Sequence, residues 1–243
     1  MITFIVPYKE DNAERALNLK LIQSYYTDLF PESEFILVES EDGTFEKCAL
    51  YNKGAAQASN NILCFLDCDI IVSNESLLKS FSLAESDDNV VVGYNGTAIY
   101  LTLEAKSKFK EGNISYSKLD ALLPTGFKPV LNNKSSLYNV ANLRAVGGCL
   151  IMNKKCFYSI GGFNPNFKNW GFEDTEIVMR AAKMGKEVVA VNTKNPYLFH
   201  LPHDDDKAPR NAHSFYSDNE REYHKVLQMN SDQIKEYIET WKV

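Results

Sequence analysis

Residues 62–72, Ile-Leu-Cys-Phe-Leu-Asp-Cys-Asp-Ile-Ile-Val, constrain the fold more than any other stretch of this chain. Five apolar residues run into Asp67, Cys68 and Asp69, and three more apolar residues follow. A short, unbroken apolar run suits a strand covered on both faces of a parallel sheet. In open α/β sheets, ligands sit beyond the carboxyl ends of the strands, where the two carboxylates fall. Buried carboxylates are costly unless they are paired or bound to a metal. Two oxygen ligands at a strand end suit Mg²⁺ or Mn²⁺ carrying a substrate diphosphate. The plainer alternative is an acidic turn, so the remainder of the chain has to decide.

The pattern around this strand is β-α-β-α-β. Ile2–Val6 is predicted as a strand ended by Pro7, and Asp11 with Glu14 as a helix start. A helix to about Tyr26 follows, then a strand over Phe35–Glu39, the polar turn at Ser40–Gly43 and a helix over Phe45–Ala58. Such an order builds a parallel sheet with right-handed crossovers. No G-x-G-x-x-G follows the first strand, which argues against a dinucleotide-binding version of the sheet. Instead the turn is Pro7-Tyr8-Lys9-Glu10, where Tyr8 can stack on a base, while Glu10 or Glu39 can accept hydrogen bonds from a base or ribose. Ordinary surface turn residues would look the same. Beyond a helix over Glu75–Ser86 and a strand over Val90–Tyr94, residues 95–142 lose periodicity and suggest an irregular acceptor-facing wall.

Order returns at Val146. Gly147-Gly148 lead into a strand over Cys149–Met152, and a helical turn covers Lys154–Ser159. Gly161-Gly162-Phe163 then leads to Trp170-Gly171-Phe172-Glu173-Asp174. Ile177, Ala181 and Met184 define a helix ending at Gly185, which puts Glu173 and Asp174 in its first turn. The helix dipole favours ionised carboxylates there, the state a general base needs; acids that merely stabilise the helix start are the alternative. After strands at Glu187–Val191 and Tyr197–Leu201, His200 and His203 stand beside Asp204–Asp206 as candidate metal ligands. In an irregular segment their spacing lets at most one of them bind. Helices over Phe215–Met229 and Ser231–Trp241 close the chain, their aromatics expected to serve packing.

Composition removes several function classes. A net charge of −6 argues against nucleic-acid binding, which needs a basic face. No run of eighteen apolar residues exists. The first strand begins almost at Met1, so no signal peptide is expected. Five cysteines, most of them in apolar runs, suggest reduced core thiols and a cytoplasmic protein.

Four stretches, residues 4–8, 51–72, 146–176 and 199–203, together resemble the inverting nucleotide-sugar glycosyltransferases of the GT-A fold, most closely the β-1,4-galactosyltransferase and chondroitin-polymerase type. The resemblance rests on Asn52-Lys53-Gly54, Asp67-Cys68-Asp69, Gly147-Gly148, Gly161-Gly162-Phe163 and the Trp170–Asp174 run. It implies one GT-A domain with a mostly parallel sheet: a nucleotide-binding half (1–94), an acceptor-binding and catalytic half (95–210) and C-terminal helices (211–243). It implies a UDP-sugar donor, a saccharide or lipid-linked saccharide acceptor, and Mn²⁺ or Mg²⁺. Asp69 resembles the direct metal ligand, Asp67 its partner, and His200, or alternatively His203, the remaining ligand. Pro7, Tyr8 and Glu39, and more weakly Asn52 and Lys53, match the places that hold uridine. Gly148 resembles the glycine approaching the donor and Trp170 the aromatic that packs on the acceptor sugar. Glu173 resembles the residue that binds sugar hydroxyls and Asp174 the catalytic base. Galactose or an N-acetylhexosamine is favoured. A glucosyl-, mannosyl- or retaining GT-A enzyme and a non-catalytic sugar-nucleotide-binding scaffold remain alternatives. Without an anchor, a lipid-linked acceptor implies docking at the inner face of the membrane.

Overall fold

The computed structural model describes residues 1–241 except 11, 41–44, 111–118, 120, 121, 125 and 204–213. The expected helix start at Asp11, the turn at 41–43 and the acidic run at 204–206 lie outside the described residues.

The strands fall into two sheets. The larger contains β1 (Ile2–Tyr8), β2 (Glu34–Glu39), β3 (Ile62–Leu66), β5 (Asn89–Val92), β8 (Cys149–Asn153) and β9 (Glu187–Ala190), in the order β2-β1-β3-β8-β5-β9. β2, β1 and β3 are mutually parallel, as the alternating pattern predicts. β8 enters antiparallel to both β3 and β5, and β9 pairs parallel to β5. Five of the six strands therefore point one way, and β8 alone is reversed. Every residue of β3 is buried, which accounts for its unbroken apolar run.

Helices α1 (Ala13–Leu29), α2 (Lys47–Gln57) and α3 (Asn74–Leu83) complete the first half. Asn12 caps α1 by accepting from the Arg15 N–H, and Ser73 caps α3 in the same way through Ser76. Helix α2 lies close on the sheet because Gly54 has no side chain. A Cβ there would come within 2.3 Å of Ile5 Cγ2 and 3.0 Å of Val38 Cγ2.

The second sheet adds one strand and corrects one expectation. The apolar residues after Asp69, unassigned from the sequence, form β4 (Ile70–Val72), which pairs antiparallel with β10 (Leu198–His200). Asp67-Cys68-Asp69 is thus the corner where the chain leaves one sheet for the other, tightened by a hydrogen bond from the Ile70 N–H to the Asp67 carbonyl. Residues 95–142 are not an irregular wall throughout. They supply β6 (Ala98–Leu101), α4 (Leu103–Lys110) and β7 (Tyr138–Asn142), and the sheet order is β4-β10-β6-β7. From α1, the Tyr26 hydroxyl accepts from the Val72 N–H and donates to the Ile70 carbonyl, fixing β4.

The remaining helices are α5 (Lys154–Ser159), α6 (Glu173–Lys183), α7 (Tyr216–Gln228) and α8 (Ser231–Glu239). Arg180 of α6 is fully buried. It pairs with Glu176 and donates to the carbonyls of Ile160 and Gly162, locking α6 to the Gly161-Gly162 turn. All five cysteines are buried and free. No described helix is long and apolar enough to cross a membrane.

Candidate active site

A cavity of about 270 Å³ opens between the two sheets and the start of α6. Asp67, Gly148, Trp170, Glu173, Asp174 and His200 line it. These positions, all singled out in the sequence, come from four separate segments.

At the corner itself the two aspartates have different partners. Asp69 faces the end of β10, with His203 Nε2 3.2 Å and His200 Nε2 3.8 Å from its carboxylate oxygens. The ligand atoms of all three residues lie within 4.8 Å of one another. Burial alone would raise the Asp69 carboxyl, but the charge of His200 and the hydrogen bond and charge of His203 hold it well below the usual carboxylate range. Both histidines reach the aspartate, although the sequence suggested that at most one of them would bind a metal. His200 ends β10, and the chain then turns through Leu201-Pro202. The Pro202 carbonyl accepts from Asn18 Nδ2 at 3.2 Å and from Lys106 Nζ at 3.3 Å, and the Leu201 N–H donates to the Asp69 carbonyl. Both imidazoles are thereby turned to the same carboxylate, and Tyr100 stacks on His200 at 4.3 Å. One carboxylate with two imidazoles suits a transition ion such as Mn²⁺ better than Mg²⁺, which takes oxygen ligands and water.

Asp67, also expected at the metal, is not part of this trio. Its oxygens bond Lys47 Nζ at 2.9 Å and the Tyr51 hydroxyl at 2.8 Å. Lys47 is the residue that the sequence reading missed. It is 2% exposed, and its ammonium also lies 3.1 Å from Glu173 Oε1 and 3.1 Å from Asp174 Oδ2. Burial opposes its charge, yet Asp174, Asp67 and Glu173 together hold the ammonium pKa well above the ordinary value. Burial also pushes the Asp174 carboxyl up to about 7; Lys47 opposes this, while the charges of Glu173 and Asp67 add to it.

Local backbone fixes the acids. Glu173 reaches back to accept from the Gly171 N–H at 2.7 Å. The turn before α6 has three left-handed residues, Asn169 (φ 54°), Gly171 (φ 119°) and Phe172 (φ 69°). For a phenylalanine this conformation costs about 1–3 kcal/mol, and such strain clusters at functional sites. Helix α7 holds the turn in place. Asn219 clamps the backbone of Lys168 and Trp170, and Tyr223 stacks on Phe172 at 5.4 Å. Tyr216, expected to serve packing, instead lines the cavity beside Trp170. On the other side, a Cβ on Gly147 would fall 2.1 Å from Asp174 Oδ2, so only glycine admits the carboxylate there. Gly148 (φ 83°) accepts from the Asp67 N–H through its carbonyl, joining the two motifs.

None of the candidate nucleotide residues lines the cavity. Tyr8 and Glu39 are register partners at the carboxyl ends of β1 and β2, on the edge of the sheet where Asp67 follows β3, and Pro7 precedes them. Asn52 is not brought to the cavity. Its amide is consumed by the Phe163 backbone, which accepts at 2.8 Å and donates at 2.9 Å. Lys53 is exposed on α2 and does not line the cavity either. Asn-Lys-Gly is therefore a packing motif here, in which Asn52 pins the Gly-Gly-Phe turn and Gly54 seats the helix.

With this geometry in view, comparison with known proteins is informative. Residues 129–204 match the family model described as the N-terminal domain of galactosyltransferase. Over 153 residues the chain is 30% identical to a putative polypeptide N-acetylgalactosaminyltransferase 13 of Drosophila melanogaster; the match covers 58% of this chain and 25% of the relative. The chain thus spans about a quarter of the length of that curated relative. Among solved structures, the catalytic domain of Drosophila β1,4-galactosyltransferase 7 with xylobiose superposes with a TM-score of 0.57 at 17% identity, covering 95% of this chain and 82% of that one. A mutant of the same enzyme, with manganese, UDP-Gal and xylobiose, gives 0.58 at 17% identity over 90% and 78%. GalNAc-T7 with UDP, GalNAc and Mn²⁺ gives 0.54 at 12% identity over 98% and 49%. The chain has the fold of GT-A glycosyltransferase catalytic domains, and residues 129–204 are similar to the N-terminal domain of galactosyltransferase.

Proposed function

We propose that the chain is a metal-dependent inverting glycosyltransferase that moves a hexose, galactose or an N-acetylhexosamine, from a UDP-sugar to a saccharide hydroxyl. One observation carries this reading. The corner Asp67-Cys68-Asp69 turns one aspartate to two histidines and the other, through Lys47, to the Glu173-Asp174 pair. A candidate metal trio, which reaches the cavity through His200, and a candidate base thus flank one cavity. The manganese and UDP-Gal held by a structural neighbour support the choice of ion and donor.

In this reading Asp69, His200 and His203 hold Mn²⁺, which when bound neutralises the charge that develops on the leaving diphosphate. Pro7, Tyr8 and Glu39 receive the nucleotide on the edge of the first half, while residues 95–210 carry the acceptor side. The Gly148 backbone lets the donor approach closely. Trp170 offers a flat apolar face to the acceptor sugar, free or lipid-linked, and Glu173 binds sugar hydroxyls. Asp174 takes the proton of the attacking hydroxyl, and Gly147 and Lys47 fix where its oxygens point. Direct displacement with a single base inverts the anomeric carbon, so an α-linked donor gives a β-linked product.

A thermal-shift panel of UDP-sugars with Mn²⁺ tests the proposal. A bound donor stabilises the folded state by mass action, so one UDP-hexose should raise Tm above UDP alone. No shift with any UDP-sugar, with and without Mn²⁺, would refute it.

A further inference from the structure

Arg144 stands on the cavity wall built by β6 and β7, with Asn142 and Tyr100 beside it. Among the described residues lining the cavity it is the only lysine or arginine; Lys47, outside that lining, is spent on three acids. Its guanidinium is exposed and takes part in no ion pair or hydrogen bond among the described residues. Its backbone, by contrast, is tied down. The Arg144 N–H donates to Asn142 Oδ1 at 2.8 Å, and the next N–H, of Ala145, donates to the Gly96 carbonyl at 2.9 Å. Three residues further on, Gly147 touches Asp174. A planar, permanently charged fork is therefore held at fixed backbone distance from the candidate base.

The nearest described lysines of this segment do not compete for the same ligand, since Lys106 pairs with Glu14 and Lys108 with Glu104, and neither lines the cavity. Arginine is also the side chain whose donor geometry matches a carboxylate or phosphate in two-point contact.

We infer that the acceptor is an anionic saccharide, whose carboxylate or phosphate group sits on Arg144 while its sugar ring lies against Trp170. This rests on the transferase reading and adds the class of acceptor to it.

Calorimetric titration of the full chain, with Mn²⁺ and UDP present, tests the inference with three probes: methyl β-glucoside, methyl β-glucuronide and glucose 6-phosphate. At least one anionic probe should bind about 10-fold more tightly than the neutral glucoside, since a charged partner roughly doubles the strength of a hydrogen bond. Whether the glucuronide or the phosphate is the tighter identifies the source of the charge. Arg144→Ala should erase the preference and Arg144→Glu should reverse it. Equal binding of neutral and anionic probes, binding of none, or a preference that survives Arg144→Ala would overturn the inference. UDP release by the unaltered chain from UDP-sugars without acceptor separates the two levels. Release without anion preference sinks only the acceptor class, and anion preference without release from any donor sinks the transferase reading.

Discussion

Lys47 Nζ lies 3.1 Å from Asp174 Oδ2, in a buried contact between the second helix and the sixth that joins residues 127 positions apart. The same ammonium touches Asp67 and Glu173, so one lysine holds together acids from both halves of the chain.

Removing that lysine should be costly. Lys47→Met leaves three carboxylates, two of them largely buried, without their cation. Breaking a buried ion pair from one side typically costs 3–5 kcal/mol. Solvent reaches Asp67 and moderates the loss, so urea unfolding should show about 3 kcal/mol of destabilisation. A change below about 0.5 kcal/mol, the range of ordinary surface substitutions, would mean that the contact is not formed in solution.

Asp174 should impose a pH dependence with opposite signs on stability and activity. Its carboxyl rises from an ordinary 3.8 to about 7 on folding. The folded state therefore binds the proton more tightly, and the stability gained from it is present below pH 4 and lost as pH rises towards 7. Unfolding of the metal-free protein at pH 5 and pH 8 should show wild type losing stability relative to Asp174→Asn as pH rises. Transfer runs the other way, because only the ionised base accepts a proton, and should increase through about pH 7. A rate flat from pH 5 to pH 9 would contradict this.

Gly147→Ala puts a methyl group where Asp174 Oδ2 now lies, at 2.1 Å. The carboxylate must move by about an ångström, and displacements of that size cost about 100-fold in rate. Calorimetry should still find wild-type Mn²⁺ binding, because Asp69, His200 and His203 are untouched. Unchanged transfer would remove Gly147 from the account.

His200→Ala and His203→Ala should each weaken Mn²⁺ binding, measured by the EPR signal of free ion. Loss of a mere outer-shell partner costs about 10–100-fold in affinity, so loss of a ligand should cost at least that. If only one variant weakens binding, the other histidine serves packing.

Much of the fold was legible because β1, β3 and the first three helices have strong local patterns. The apolar run of β3 and the cap at Ser73 are local signals, whereas α1 is capped by Asn12 and not, as the sequence suggested, started at Asp11. β4, β6 and β7 were missed because their pairing is long-range. β4 pairs with β10 over a hundred residues away, and β7 carries two asparagines in five residues without regular alternation, as an edge strand can. The acids, glycines, Trp170 and the histidines were visible because each closes or opens an element. Lys47 was not, because a helical lysine normally faces water. The available signal was its position: it shares a helical face with Tyr51 and Ala55, both buried, so it stands in the apolar register. Arg144 and Tyr216 gave no local sign, since the wall they share is made by segments far apart in sequence.

The most direct measurement is transfer by Asp174→Asn with the donor identified by thermal shift, Mn²⁺ and a saccharide acceptor, the product anomer being read by NMR. The account predicts a β-linked product from the unaltered chain. It predicts wild-type binding of UDP and Mn²⁺ by the variant, and transfer slower by about 10²–10⁴-fold. Transfer by Asp174→Asn at close to the wild-type rate, or a product that keeps the donor's α-configuration, would contradict it.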